Sequence, residues 1–149
     1  MNIIQATLEH ADSIAPIFDA YRQFYGQSPN LERCRTFIAK RLINRESVIF
    51  FVPDEANPRH VLGFTQLYPT FSSIAMRRLW ILNDLFVLPE ARKHGIASAL
   101  MHKAREFAKE TAAKGLVLET ATDNSEAQRL YEKLGWQRDE LFYRYFINI

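Results

Sequence analysis

The sequence predicts a mixed α/β fold in which strands and helices are interleaved around a sheet. Short runs with the two-residue period of strands alternate with segments whose apolar residues recur at three- and four-residue steps. Two strand-like runs flank a turn-rich segment and read as an antiparallel hairpin. A long amphipathic segment joins two further strand-like runs, the connection that parallel strands need. The predicted order is β-α-α-β-β-β-α-β-α-β, an α/β layer arrangement.

Each element has its own signal. "NIIQA" is a short strand, after which Thr7 caps a helical pattern through Leu8, Ala11, Ile14, Ala15, Phe18, Tyr21 and Tyr25. Pro16 lies inside it, which predicts a kink or a late start. "SPN" ends that helix, and a second carries Leu31, Cys34, Phe37, Ile38, Arg41 and Leu42 on one side. "SVIFFV" and "VLGFTQLY" form the hairpin around "PDEANPRH", and "RRLWILNDLFV" is a third strand ended by Pro89. The long helix follows, through Ala97, Leu100, Met101, Ala104, Phe107, Ala108 and Ala112, with Gly115 expected to stop it. "LVLETAT" reads as a strand parallel to "WILNDLFV". "DNSEAQRLYEKLG" reads as a capped helix with Ala127, Leu130, Tyr131 and Leu134 on its apolar face, and "ELFYRYFI" as a closing strand.

Bulk properties narrow the class. A chain of 149 residues with 48% hydrophobic content is expected to form one domain, residues 1–149, with a packed core. The net charge is only +2 and the basic residues are interleaved with acids, which argues against a nucleic-acid partner. Cys34 is the single cysteine, so no internal disulfide forms, in keeping with a reducing compartment. No apolar run approaches the ~20 residues of a membrane helix, and the N-terminus does not resemble a secretory signal. A soluble, cytoplasmic protein is expected, without a membrane partner.

The stretch "LPEARKHGIASAL" carries the first functional signal. It places Arg92, Lys93 and His94 beside Gly95, one of five glycines, where a strand gives way to a helix. The first turn of a helix leaves backbone N–H groups unpaired at the positive end of its dipole, a site for anions. A glycine and the small residues after it keep the approach clear. A pyrophosphate is the natural ligand, although neither the Walker pattern nor the three-glycine dinucleotide fingerprint is present. An ordinary left-handed turn with solvated basic residues would also produce the hexapeptide.

The hexapeptide Arg92-Lys93-His94-Gly95-Ile96-Ala97 resembles the acetyl-CoA pyrophosphate loop of the GCN5-related N-acetyltransferase family, Gln/Arg-x-x-Gly-x-Gly/Ala. "DNSEAQRLYEKLGW" is similar to that family's second signature, Asn-x-x-Ala-x-x-x-Tyr-x-x-x-Gly-Phe/Trp, and the two together cover roughly Trp80 to Trp136. The resemblance implies an acetyl-CoA-dependent N-acetyltransferase in which acetyl-CoA is the cosubstrate and no metal takes part. It places the cosubstrate on Arg92, Lys93, His94, Gly95, Ile96, Ala97 and Ser98, on the main chain of Leu85, Phe86 and Val87, and on Asn124. By itself Asn124 reads as a helix N-cap, a place that Ser125 could also fill. Tyr131, which reads alone as a core tyrosine, becomes by resemblance the acid that protonates the departing thiolate.

An alkyl amine is mostly protonated at neutral pH and needs a base. The strand resembles that of diamine acetyltransferases, which carry Glu-Asp where this chain has Asn83-Asp84. Asparagine is no base, so Asp84, Glu119 and a water chain held by Asn83 remain open. Aromatic residues of the first helices and last strands, Tyr21, Phe24, Tyr25, Tyr68, Phe71, Tyr143 and Tyr145, could wall an amine pocket. Asp19, Asp139 and Glu140 could draw in a cation. The acceptor implied is a small primary amine: a polyamine, a lysine-like amino acid or an aminosugar. A protein acceptor and a non-catalytic acyl-CoA sensor are the alternatives, and the family implies a homodimer.

Overall fold

The computed structural model describes residues 1–149. Met1–Leu118 form one compact unit and Glu119–Ile149 a second, smaller one. The first unit contains a five-stranded sheet in the order β1 (Ile4–Gln5), β2 (Val48–Pro53), β3 (Val61–Ser72), β4 (Arg77–Val87) and β5 (Gly115–Val117). Neighbours pair antiparallel except β5, which runs parallel to β4. Its helices are α1 (Ala11–Phe24), α2 (Leu31–Ile43) and α3 (Ile96–Glu110).

The two-residue period of β2 divides the core. Phe51 and Ile49 join Ile14, Phe18, Cys34 and Ile38 in a cluster with α1 and α2. Phe50 points the other way, its ring 5.5 Å from Phe107 of α3, and Trp80 of β4 lies 5.1 Å from the same ring. Full burial of a phenylalanine is worth about 1.5–3 kcal/mol, and Phe50, Phe51 and Phe64 are all essentially inaccessible. Gly63 lets α3 come close. A Cβ there would stand 2.6 Å from Ile96 Cγ2, at the first turn of that helix.

A bulge interrupts this regularity on β4. Gln66 pairs with Asp84 but the next residue, Leu67, pairs with Leu82, so Asn83 is extra. Inserting one residue exchanges the two faces of a strand. Trp80 and Leu82 therefore lie on the α3 side, whereas Asp84 and Phe86 lie on the α1 side, Phe86 5.9 Å from the Tyr21 ring.

Several boundaries differ from the sequence expectation. The first helix does start late, as a 3-10 turn over Leu8–His10, and Pro16 sits inside α1. Its missing N–H faces the exposed Asp12 and Pro16 side, where water can take the carbonyl. Helix α3 ends at Glu110, well before Gly115, which instead opens β5. Thr111 donates its hydroxyl to Phe107 O at 2.9 Å and accepts from Trp80 Nε1 at 2.9 Å, which pins the helix end there. Ala112 then takes a left-handed φ of 53°. Strand β5 spans three residues only, short of the whole "LVLETAT" run.

The second unit contains α4 (Ser125–Lys133). Asn124 caps it, accepting Ala127 N at 3.2 Å, and Gly135 closes it at a φ of 88°. The expected closing strand "ELFYRYFI" does not form. Leu141, Phe142, Tyr143, Tyr145, Phe146 and Ile147 are exposed, with no ladder hydrogen bonds. Alternation supplies a strand's faces but not its neighbour, and β propensity without a partner decides little.

Candidate active site

Asp84 is the chemical centre of the α1 face. It is 4% exposed, and three uncharged groups serve its carboxylate. Gln66 Nε2 donates to Oδ2 at 2.7 Å, Asn83 Nδ2 donates to Oδ1 at 3.1 Å, and the Tyr21 hydroxyl also donates to it. The ion pairs of this unit, Arg22–Asp19, Arg35–Asp12 and Arg41–Glu46, lie elsewhere. Burial raises the Asp84 pKa, and the hydrogen bonds from Gln66, Tyr21 and Asn83 only partly oppose it. Such a group is a stronger base than a surface aspartate.

The tyrosines beside it are shifted in turn. Burial and then the Asp84 charge push Tyr21 far up, and the same causes push Tyr68 up to about 12. Both keep their protons at neutral pH, so Tyr21 remains a donor. Aromatic rings continue from there: Tyr21 to Tyr25 at 5.1 Å, Tyr25 to Phe24 at 5.3 Å, and Phe24 to Phe86 at 5.8 Å. Tyr25 and Phe24 are more than half exposed at the end of α1. Phe71 is exposed far along β3 with Arg78 over its ring. Asp19 is already committed: it accepts from Asn30 N at 3.0 Å and from Cys34 Sγ at 3.4 Å, tying α1 to the loop before α2. Its partners Arg22 and Cys34, with Phe18, Gln27, Arg33 and Phe37, line a pocket of about 320 Å³ that does not include Asp84.

The same strand leads into the glycine junction. Strand β5 pairs with β4 only at Leu79, Trp80 and Ile81, so Leu82–Val87 run on without it. Leu88 N donates to Leu62 O at 2.9 Å. Strand alternation then puts Phe86 on the β3 edge as well and leaves Leu85 and Val87 with main-chain groups on the opposite edge. Val87 O accepts Arg92 Nε at 3.1 Å, and the guanidinium lies 5.7 Å from the rings of Phe24 and Phe86. Lys93 and Gly95 take left-handed φ values of 64° and 80°. His94 Nδ1 stands 3.4 Å from Ala91 O.

Gly95 is the N-cap of α3 and supplies no side-chain cap. The first in-helix bond there is Ala99 N to Gly95 O at 3.0 Å, so the N–H groups of Ile96, Ala97 and Ser98 precede the ladder. A Cβ on Gly95 would meet nothing within 4 Å, so the helix start is open. These residues fit a pyrophosphate: bare N–H groups at the positive end of a 15-residue helix, beside Lys93 and His94.

In the second unit, Tyr131 lies on α4, half-buried, with its ring 6.3 Å from Trp136. Glu119 is exposed and bonded to Arg144. Glu140 pairs with Arg138, and Asp139 accepts Leu141 N. Tyr143 and Tyr145 are exposed. No group of three or more His, Cys, Asp or Glu is arranged to hold a metal ion, and no helix is long and apolar enough to cross a membrane.

Sequence reasoning missed Gly63 and Gln66. Both stand in "VLGFTQLY", and each carried a signal: a glycine inside a strand marks a close approach, and a glutamine in an apolar run needs a buried partner.

An open helix start follows a strand edge that β5 leaves uncovered, and the same strand carries a buried carboxylate, an arrangement that can accommodate a phosphate-bearing ligand. The chain belongs to the acetyltransferase (GNAT) family, whose model matches residues 12–136. It is an enzyme of that class, an acetyl-CoA-dependent N-acetyltransferase. An uncharacterized N-acetyltransferase of Bacillus subtilis, YhfO, is 44% identical over 149 residues, covering 100% of this chain and 98% of that protein. A Haemophilus influenzae protein named a probable acetyltransferase is 38% identical over 121 residues, or 81% of this chain and 82% of its own. The crystal structure of a probable acetyltransferase superposes with a TM-score of 0.94 at 45% identity, covering 100% of this chain and 98% of that one.

Proposed function

We propose that this enzyme acetylates a primary amine of a small molecule, with Asp84 as the base, and that residues 1–149 act as one catalytic domain. The observation that carries the reading is Asp84 itself, a buried carboxylate served only by neutral donors and raised in pKa by burial. A carboxylate in that state favours a cationic ammonium as neighbour and can take one of its protons. The rings of Tyr21, Tyr25 and Phe24 add faces that attract ammonium groups.

Acetyl-CoA supplies the acyl group as a thioester. Under this reading Asp84 takes a proton from the ammonium, directly or through water, and frees the nitrogen lone pair. The nitrogen bonds to the carbonyl carbon, the carbon–sulfur bond breaks, and Tyr131 gives its proton to the sulfur; the nitrogen then sheds its second proton to solvent, leaving the neutral amide, and Tyr131 is reprotonated from solvent. Main-chain groups of Leu85 and Val87 hold and polarise the acyl arm, the N–H groups of Ile96, Ala97 and Ser98 hold the pyrophosphate, and Asn124 supports the cosubstrate. The likeness of the strand to diamine acetyltransferases favours a polyamine or a lysine-like amino acid over an aminosugar.

The test is thiol release from acetyl-CoA with a panel of polyamines, basic amino acids, aminoglycosides and short peptides. Saturable release with polyamines or basic amino acids is expected. Release with peptides alone would replace the small-molecule reading, and no release by protein that binds acetyl-CoA would overturn catalysis.

A further inference from the structure

Gln66 is 0% exposed, in the middle of β3, between the apolar residues Phe64 and Leu67 of the sheet core. Its amide is unevenly used. One N–H of Nε2 reaches Asp84 Oδ2 at 2.7 Å and the other reaches Tyr68 Oη at 3.1 Å. Its carbonyl oxygen Oε1 is buried without a hydrogen-bond partner. A glutamine kept only for packing would be better replaced by an apolar residue of the same shape, because an unsatisfied buried acceptor is destabilising. Its amide is therefore committed to the carboxylate across the bulge rather than to its own satisfaction.

We propose that Gln66 is a positioning residue for the acetyl-transfer reaction, fixing the plane of the Asp84 carboxylate at the bulge and bracing it against Tyr68. The inference rests on Asp84 being the base. The bulge explains why a brace is needed: the extra residue Asn83 breaks the ladder between the Gln66–Asp84 and Leu67–Leu82 pairs. Asp84 consequently sits beside an interruption of the ladder, with its carbonyl held by the Thr65 hydroxyl at 2.8 Å but its carboxylate dependent on side-chain donors. Asn83 is exposed, so its own bond to Asp84 competes with water. Gln66 supplies the shorter bond from the dry side, and Tyr68 Oη orients the amide by accepting its second N–H.

The groups facing the carboxylate come from three elements: Tyr21 from α1, Gln66 from β3 and Asn83 from β4. Tyr25, the residue after α1, and Tyr68 of β3 act on Tyr21, and Arg41 of α2 acts on Tyr68. Of these, Gln66 bonds directly to Asp84 from a fully buried position. Removing its N–H disfavours the ionised carboxylate and moves the Asp84 titration upward. A purely structural glutamine would leave the acid limb of kcat/KM where it is, because the carboxylate it bonds would take no part in the reaction.

The experiment compares wild type with Gln66→Met and Gln66→Glu. The pH profile of kcat/KM is measured with the best amine of the panel, alongside carbon NMR titration of aspartate-labelled free protein, with Asp84→Asn to assign the resonance. Gln66→Met is expected to lose roughly tenfold in kcat/KM on the acid side, the size of one hydrogen bond to a charged group. Activity should recover at high pH with the acceptor KM within about twofold, and the Asp84 resonance should titrate at higher pH. Gln66→Glu places a second carboxyl on Asp84 and should split the titration into two steps. It keeps the test decisive if Gln66→Met does not fold. Unmoved resonances and an unmoved acid limb would overturn the proposal. Full activity of Asp84→Asn would instead remove Asp84 as base, while the NMR titration still reports whether Gln66 governs it.

Discussion

Gly63→Ala is the substitution whose cost follows most directly from the structure. The added Cβ would stand 2.6 Å from Ile96 Cγ2 and 3.3 Å from Val87 Cγ2. Ile96 is branched at Cβ and stiff, so it cannot swing aside without moving the first turn of α3. Overpacking of this kind costs about 1–3 kcal/mol. Replacing glycine in a strand returns about 0.5–1 kcal/mol of backbone entropy. The net loss is therefore centred near ~1 kcal/mol and reaches ~2.5 kcal/mol, a fall in Tm of about 2–8 °C for a domain of this size. Urea and thermal unfolding would measure it, with calorimetric titration of acetyl-CoA on the same protein. Affinity should fall too, because Ile96 begins the helix whose N–H groups fit the pyrophosphate. Ile96→Leu removes the clashing methyl, so in that background Gly63→Ala should cost less than ~0.5 kcal/mol. Equal cost in both backgrounds, or a fully stable Gly63→Ala, would refute the close approach of β3 and α3.

Asp84→Asn should lower kcat/KM by about 10²–10⁴-fold, as loss of a general base does. The same change should stabilise the protein at pH 7. The folded pKa of Asp84 is raised, so its neutral form is favoured in the native state. Its contribution is fully present below the unfolded value near ~3.9 and is lost as pH rises through the folded pKa. The gain in Asp84→Asn should accordingly vanish as unfolding is measured at lower pH. Tyr131→Phe should reduce kcat by at least about tenfold with acetyl-CoA affinity nearly unchanged, and equal rates would remove Tyr131 as the acid. Cys34 should resist alkylation in the folded protein and react on unfolding, read by mass spectrometry. It is 2% exposed, and burial, with Asp19 as its acceptor, pushes the thiol pKa up.

The strands from β2 to β4 and the three longer helices were legible because each carries enough periodic residues to declare its own face. The start of α4 was legible for a different reason: an asparagine before a helical period is a local capping signal, and Asn124 caps as expected. The ends of α3 and β5 were not. Thr111 stops the helix by receiving the Trp80 indole from β4, a partner 31 residues away that no local pattern contains. The "ELFYRYFI" run has the composition of a strand, yet pairing is a property of two segments, and one was read. In the candidate site, the glycine junction was visible as chemistry, since Gly95 takes the left-handed φ of 80° that its place demands. The division of labour among Leu85, Phe86 and Val87 was hidden, because which edge a main-chain group faces depends on register. The aspartate stood out as an oddity in an apolar strand, but its three donors come from α1, β3 and β4.

The bulge at Asn83 makes the location of the Asp84 carboxylate a matter of counting rather than of chemistry. With regular alternation, Asp84 would share the layer of Trp80 and Leu82, packed under α3 and remote from Tyr21. One spacer residue sends it to the other layer, and the spacer's side chain matters less than its presence. The identity of residue 83 therefore alters a ligand of the carboxylate but not the layer in which the carboxylate lies. A one-residue deletion there would move the carboxylate through the sheet, and Phe86 with it, if the strand N-terminal to the bulge kept its register.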